Sequence, residues 1–405
     1  MVPMVEAPDE FAHYWVLKFI CEHLALPSPQ DVIDGGPSAV YGSMPQLGYL
    51  PHIVTAKLLP FGDISLTPRF GSLIMGLVTI AVAYFLGEEL FGARLLLARA
   101  LPLLVVFHPQ LVLVHSYSNN DATTCALASL TLLLAVRTLK MGPKLSRSVT
   151  MGALLGWIAL AKYSGLAVLP IALLAVAAAG WLHGTGLVAS LGNIAALCAV
   201  PVLTSGWWFM RNYQIYHGDI LGTQTMRHSW SITYKRPLDF YMTPWQVVKQ
   251  KPWWRSSFYS FWALFGYMSK FLYRPLYLLY FLFVSCSALG GIINLVRGKQ
   301  EPPQGPSGRL ALVDTCVWWM FALCFLFNLA GMVWASTVNL GGPQGRYLFA
   351  SELPAMALII LGLTQFGPRL GNRLVLALVI YNALVCIGSY IWLVQSYGAF
   401  HLKTY

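Results

Sequence analysis

Apolar stretches of roughly 20 residues recur along most of this chain, and they restrict its fold more than any other feature. Each is long enough to cross about 30 Å of hydrocarbon. Inside lipid a backbone must satisfy its own hydrogen bonds, so a chain crosses only as helices or as a closed barrel. Barrel strands alternate polar and apolar residues, and these stretches do not. A soluble fold is excluded by the same residues. Charged side chains are 10% of the sequence and hydrophobic ones 57%, too little charge to coat a chain of 405 residues. The expected class is all-α, a polytopic transmembrane helical bundle.

The hydropathy pattern places ten spans, at roughly 65–86, 96–114, 120–138, 148–162, 165–182, 187–206, 272–296, 311–335, 346–366 and 374–395. Two long regions, 1–63 and 207–271, do not span. The stretch from Met1 to Glu10 has neither the basic start nor the apolar core of a signal peptide. Orientation follows from loop charge. Arg137, Lys140, Lys144 and Arg147 make a strongly basic loop, which the positive-inside rule places in the cytoplasm. Alternation then puts the loop with Arg297, Lys299 and Arg309, and the turn with Arg369 and Arg373, on that same side. Residues 1–63, the turn 115–120, Lys162, the region 207–271 and the turn 336–345 face outward. Segment 1–63 has no upstream span in this sequence to carry it across: either a short acidic tail is translocated on its own, or a further apolar helix belongs ahead of Met1, and the second is the expectation here.

The net charge of +11 is spread over loops and helix ends, which fits membrane orientation and anionic lipid better than nucleic acid. Six of the seven cysteines lie in apolar segments, with no disulfide framework and no zinc spacing.

Five groups of residues could carry chemistry. Asp9 and Glu10, with His13 three residues on, open an amphipathic helix over 11–26. Adjacent carboxylates there suit a helix N-terminus, and they also suit a general base or metal ligand held beside the membrane. Asp121 starts a span behind Asn119 and Asn120, either of which can cap it; an acid at that depth usually faces a polar cavity. His108 and His115 flank this turn as interfacial hydrogen-bonders. Lys162 is the only Lys or Arg between Arg147 and Arg211; it can snorkel or hold a phosphate as a point charge. Trp207, Trp208 and Arg211 suit an interfacial belt, and seven of the fourteen tryptophans fall within 207–262. Those aromatic faces would also stack on sugar rings. Last, Arg346 follows Gly341-Gly342-Pro343-Gln344-Gly345 and opens a span at its N-terminal end. A cation opposes the helix dipole there, so a nearby anion is expected, gripped in a bidentate fork. Under the charge-derived topology Asp9, Glu10, Lys162, Arg211 and Arg346 all reach one outer rim.

In these residues the sequence resembles the GT-C superfamily of integral-membrane glycosyltransferases. Within it, the likeness is to the bacterial branch similar to protein O-mannosyltransferases and the aminoarabinose transferase of lipid A. It rests on Asp9-Glu10, Met44-Pro45-Gln46-Leu47-Gly48-Tyr49, Thr67-Pro68-Arg69-Phe70 and Glu89-Leu90-Phe91-Gly92. It continues with His108-Pro109, Asn119-Asn120-Asp121, Gly156 to Lys162, Trp208 to Asn212, Tyr216 to Asp219, Ser260-Phe261-Trp262, Phe265-Gly266 and Gly345-Arg346-Tyr347-Leu348. The resemblance implies one membrane domain over 1–405, made of an outer acidic segment 1–63, a first bundle 64–206, an outer aromatic and basic loop 207–271 and closing spans 272–405. It implies a polyprenyl-phosphate sugar donor and a lipid, glycan or protein acceptor met on the outer face of a bacterial inner membrane, with inversion at the sugar. Asp9 becomes the base and Glu10 its neighbour and understudy. Lys162, Arg211 and Arg346 become phosphate ligands, with His13, Asp121 and Tyr347 beside them in the substrate site. No cofactor and no metal ligand set is implied, and a divalent cation is left open. Family members usually carry a helix before the acidic loop and often a soluble C-terminal domain, neither of which lies within these residues. The rival readings are a polytopic transporter, which would favour repeats and mid-membrane charges, a non-catalytic or degenerate relative, and an oligosaccharide ligase of similar architecture.

Overall fold

The computed structural model describes residues 6–59, 65–235, 238, 240–297, 306–338 and 342–397. Lys299 and Gly341, both named above, lie outside them. Three short helices lead, α1 (Glu10–His23), α2 (Pro29–Asp34) and α3 (Leu50–Leu58). A first bundle follows: α4 (Arg69–Phe91), α5 (Leu95–Val106), α6 (Pro109–Val114), α7 (Asp121–Met141), α8 (Leu145–Ala161), α9 (Leu169–Leu182) and α10 (Leu187–Ile215). The long region after it holds α11 (Thr223–Tyr234), α12 (Pro244–Val248), α13 (Lys251–Trp262) and an antiparallel pair of two-residue strands, β1 (Leu264–Phe265) and β2 (Lys270–Phe271). The last helices are α14 (Arg274–Arg297), α15 (Pro306–Thr337), α16 (Glu352–Thr364) and α17 (Pro368–Tyr397).

Among the described residues, eight helical stretches are long and apolar enough to cross a membrane. Two of them join α9 and α16 to the 3-10 turns just before them, giving Tyr163–Leu182 and Gly345–Thr364. The shorter apolar helices α5 and α8 complete the ten stretches expected from hydropathy. The expected span 96–114 is broken into α5 and α6 at His108-Pro109, because Pro109 has no N–H to continue a helix and sits at the first position of the next one. α8 has 17 residues, about 25 Å of rise, which is short for a full crossing.

α7 is the enclosed centre of the first bundle, apolar and buried nearly all round. α10 instead turns most of its surface outward; Val188 and Leu203 are 85% and 80% exposed, as lipid allows. Lipid tails are as apolar as leucine, so helices associate by close approach of small residues. Gly152 and Gly156 of α8 lie against Val200, Pro201 and Thr204 of α10. Gly290 of α14 and Gly362 of α16 leave no room for a methyl, since either Cβ would overlap a backbone carbonyl of the other helix.

The two ends of α7 and α8 differ in chemistry. At one end Arg137 holds Glu89 at 2.9 Å, while Arg147 donates to the Arg137 and Gly142 carbonyls at 2.6 and 2.9 Å. At the other end are Asp121 and Lys162, and α1 and the turn 345–351 join them there.

Overpacking a tight contact costs about 1–3 kcal/mol. Gly290→Val or Gly362→Val should therefore lower the melting temperature of the detergent-solubilised protein by several degrees. Gly192→Ala, whose added methyl meets nothing within 4 Å, should leave it unchanged. Equal melting curves for all three would refute the close α14–α16 contact.

Candidate functional site

The site grows from the start of α1. Asp9 stands at φ 61°, a left-handed conformation that non-glycine residues seldom adopt and that clusters at functional positions. From there its carbonyl accepts the N–H groups of Ala12 and His13 at 3.0 and 3.1 Å, and the helix begins. Glu10, His13, Leu17 and Cys21 on one side, with Ala12 and Val16 beside them, repeat at helical spacing and form its buried face. The helix runs over 10–23, close to the 11–26 expected.

The two adjacent carboxylates take different partners. Glu10 is fully buried and meets Arg69 in a bidentate fork, Nε to Oε1 at 2.8 Å and Nη2 to Oε2 at 2.7 Å. The Ser118 N–H adds a third bond to Oε1 at 3.0 Å. Burial pushes the Glu10 carboxyl up to about 7, with Arg69 and the Ser118 N–H pulling the other way. Asp9 keeps 22% of its side chain exposed and gives Oδ2 to Arg346. Burial works to raise its pKa, but Arg346, with Lys162 behind it, outweighs that and holds the carboxyl below its usual range. At neutral pH Asp9 is an anion.

Arg346 is itself buried. Besides Asp9, it donates to the Tyr117 hydroxyl at 2.8 Å and the Pro8 carbonyl at 3.3 Å, and it lies 3.9 Å from Asp121 Oδ2. Asp121 Oδ1 is 2.5 Å from Lys162 Nζ. Charges thus alternate through Lys162, Asp121, Arg346 and Asp9. The Tyr347 ring lies beneath both cations, with Lys162 Nζ at 4.9 Å and the guanidinium at 5.6 Å from its centre. The anions beside Arg346 here are carboxylates of the protein itself, Asp9 and Asp121.

Local structure fixes each member. Asn119 donates to the Val114 and Tyr117 carbonyls and accepts from the Ala122 N–H at 3.0 Å, so it caps α7 and aims Asp121. α8 ends as Lys162 turns extended, and Asn120 donates to the Ala161 carbonyl at 3.0 Å. Gly345 donates its N–H to Ser260 Oγ at 2.7 Å and presses against the backbone of Phe261, a contact with no space for a Cβ. That contact sets the turn presenting Arg346.

A cavity of about 230 Å³ opens beside the cluster. His13, Lys162, Arg346 and Tyr347 line one wall, and Met226 and Trp230 of α11 face them. His13 is stacked on Tyr41, with centroids 4.8 Å apart, and bonded to the Tyr49 hydroxyl. Burial lowers its pKa to about 3, so the ring is neutral. A second, almost wholly apolar cavity of about 410 Å³, lined by Phe258, Trp262, Phe325 and Leu329 among others, shares Met332 with the first.

Of the residues expected at the site, Asp9, His13, Asp121, Lys162, Arg346 and Tyr347 come together. Glu10 is adjacent but saturated by Arg69. Arg211 stands apart: it donates to the Pro27 carbonyl at 2.6 Å and stacks over Trp208, tying α10 to the segment before α2. Both flanking histidines are buried in the protein. His115 is buried and bonds the Leu111 carbonyl at 2.8 Å, and His108 is fully buried 2.9 Å from Glu352. Sequence reasoning gives no role to Arg69, Tyr117 or Glu352. Arg69 opens a span as Arg346 does, and that shared conflict with the dipole is the signal that could have marked it. Among the described residues no group of three or more His, Cys, Asp or Glu could hold a metal ion.

Residues 49–207 match the family of dolichyl-phosphate-mannose-protein mannosyltransferases. No curated protein matches the chain in sequence. Among solved structures, ArnT from Cupriavidus metallidurans bound to undecaprenyl phosphate aligns with a TM-score of 0.54 at 14% identity, over 98% of this chain and 63% of that one. The apo state of the same ArnT aligns with a TM-score of 0.43 at 13% identity, over 90% and 74%. This chain therefore spans less than two thirds of the first of these proteins.

Breaking a buried ion pair from one side costs about 3–5 kcal/mol. Glu10→Gln, which takes the carboxylate of this fork from Arg69, should therefore sharply lower the melting temperature. Combining it with Arg69→Met should recover part of the loss. If the double variant melts no higher than the single one, Glu10 and Arg69 are not an energetic pair.

Proposed function

We propose that this polytopic chain, built on the fold of the GT-C integral-membrane glycosyltransferases, transfers a sugar from a polyprenyl-phosphate donor to an acceptor hydroxyl. The observation that carries the reading is a run of alternating charges whose two cations, Lys162 and Arg346, line a cavity that adjoins an apolar one. A polyprenyl-phosphate sugar needs those three features side by side: cations for phosphate, room for a sugar, and an apolar path for the lipid. ArnT bound to undecaprenyl phosphate, with the same fold, supports the choice of lipid.

Lys162 and Arg346 take the donor phosphate, Lys162 as a mobile point charge and Arg346 as a fixed fork. Asp121 holds both cations in place from behind. Tyr347, and Trp230 across the cavity, offer faces on which a sugar ring can stack. Asp9 accepts the proton of the acceptor hydroxyl as its oxygen attacks the anomeric carbon. The bond from that carbon to the phosphate oxygen breaks, and polyprenyl phosphate leaves with the electron pair. One displacement inverts the sugar and needs no covalent enzyme intermediate.

Arg346 also couples donor binding to the base. In the free protein its guanidinium is the main force holding Asp9 at low pKa. A phosphate that takes a share of that guanidinium weakens the hold, and Asp9 becomes a stronger base once a donor is present. The loop charges support an outward orientation of this face, periplasmic in a bacterial inner membrane, where a membrane-borne lipid, glycan or protein would present its hydroxyl.

General-base catalysis contributes about 10²- to 10⁴-fold. Asp9→Asn should lower kcat by that range with a radiolabelled polyprenyl-phosphate sugar and a membrane acceptor fraction, assayed well below the variant's own melting temperature. Lys162→Met should instead raise the donor KM at least tenfold. Full activity in Asp9→Asn would end the assignment of the base.

A further inference from the structure

A second buried acid–base pair lies behind the site, on the far side of the turn that carries Arg346. His108 and Glu352 are both fully buried, with Nδ1 2.9 Å from Oε1. Ionisable groups within a membrane-embedded bundle are costly and seldom idle. Their places in the chain matter as much as their chemistry. His108 is the second of the two residues between α5 and α6, immediately before the Pro109 that breaks the helix. Glu352 is the first residue of α16, directly after the 3-10 turn Gly345–Ser351. The contact therefore joins the break in one span to the end of the turn that presents Arg346.

The surroundings leave this turn little freedom. The His108 ring is enclosed by Phe261, Trp262 and Phe349, at 5.1, 5.3 and 5.6 Å between centroids. Phe349 belongs to the turn, and Phe261 is the residue against which Gly345 is pressed. Ser351 is held by Asn328 at 3.0 Å and reaches back to the Leu348 carbonyl at 2.8 Å. The start of the turn is fixed by the Gly345 N–H on Ser260, and its end by the His108–Glu352 pair. A helix N-terminus favours an acid in any case, yet a fully buried carboxylate without a charged or protonated partner would be very costly. His108 Nδ1 stands 2.9 Å from it across more than 200 residues of sequence, and among the described residues neither side chain has a hydrogen bond to any other group.

We infer that His108 and Glu352 are positioning residues for Arg346: they lock the far end of its turn, so that the guanidinium stands where the donor phosphate arrives. This rests on the donor-site reading above. The pair touches neither cavity's polar wall, so it acts through the turn and not on the substrate.

The test uses the full chain in nanodiscs with undecaprenyl phosphate as probe, reading its Kd by tryptophan fluorescence alongside the melting temperature. Glu352→Gln and His108→Gln should each weaken binding about tenfold, well below their melting temperatures. The double variant, whose two amides can bond each other, should return to within about threefold of the unaltered protein. Normal affinity in either folded single variant overturns the inference, as does loss of affinity that only tracks loss of folded protein. Should one single variant fail to fold, the other and the double variant decide. Failure of all three to fold makes the pair a requirement of the bundle and overturns a positioning role. The donor-site reading fails separately: the unaltered protein would then not bind undecaprenyl phosphate, or Arg346→Gln would bind it normally.

Discussion

The shared guanidinium of Arg346 is the interaction on which the rest of the site depends. A carboxylate taken out of water without compensation is unaffordable, and two lie within reach of one another here. Arg346 contacts both, Asp9 directly and Asp121 at 3.9 Å, and Lys162 completes the balance. The four formal charges sum to zero, which lets them sit together at the edge of an apolar bundle. On the proposed reading, an incoming phosphate takes a share of the cations, and each share it takes loosens an acid. Donor binding and proton transfer would then be linked before any motion is invoked.

Such a cluster needs a rigid frame, because electrostatic gain in a low-dielectric site depends on geometry held in advance. Each member is fixed by backbone chemistry one residue away. Asn119 aims Asp121, the end of α8 releases Lys162, the left-handed Asp9 starts α1, and the Gly345 contact sets Arg346. The helices behind them are joined through small residues, so the frame is close-packed where lipid gives no hydrophobic drive of its own. α11 is different in kind. It covers the cavity with Met226 and Trp230 and is itself only partly buried.

Hydropathy alone locates ten apolar stretches, because crossing a membrane as a helix demands about 20 such residues wherever it occurs. The structure moves most of their ends by only a few residues; the exceptions are the His108-Pro109 break inside one stretch and a few helices extended well past their apolar core. Asp9, Asp121, Lys162 and Arg346 are likewise visible, as ionisable residues at ends that loop charge puts on one side. Their pairing is not visible: Asp9 and Arg346 meet across nearly the whole chain, and no local rule chooses Asp9 over Glu10 as the partner of Arg346. Arg211 shares the side but not the cluster, since side is a one-dimensional coordinate and the bundle is round. Glu352 was legible in principle. It is a lone acid in an otherwise apolar stretch, the pattern that a membrane interior rarely tolerates without a partner.

The contrast between the two neighbouring acids shows how function separates from structure on one helix turn. Arg69 and Arg346 each open a span and each oppose its dipole; Asp9 and Glu10, at the dipole end that favours acids, relieve one apiece. The pairs are chemically alike and differ in access. Glu10 is fully buried with both oxygens bonded to Arg69, so no proton can reach it from a substrate. Asp9 retains 22% exposure and a single arginine contact. It is held by strain in the backbone and by a cation that a ligand can borrow. The first pair can only brace the start of α1 against α4. The second pair has the access to change partners, and that capacity is what the proposed reaction requires of its base.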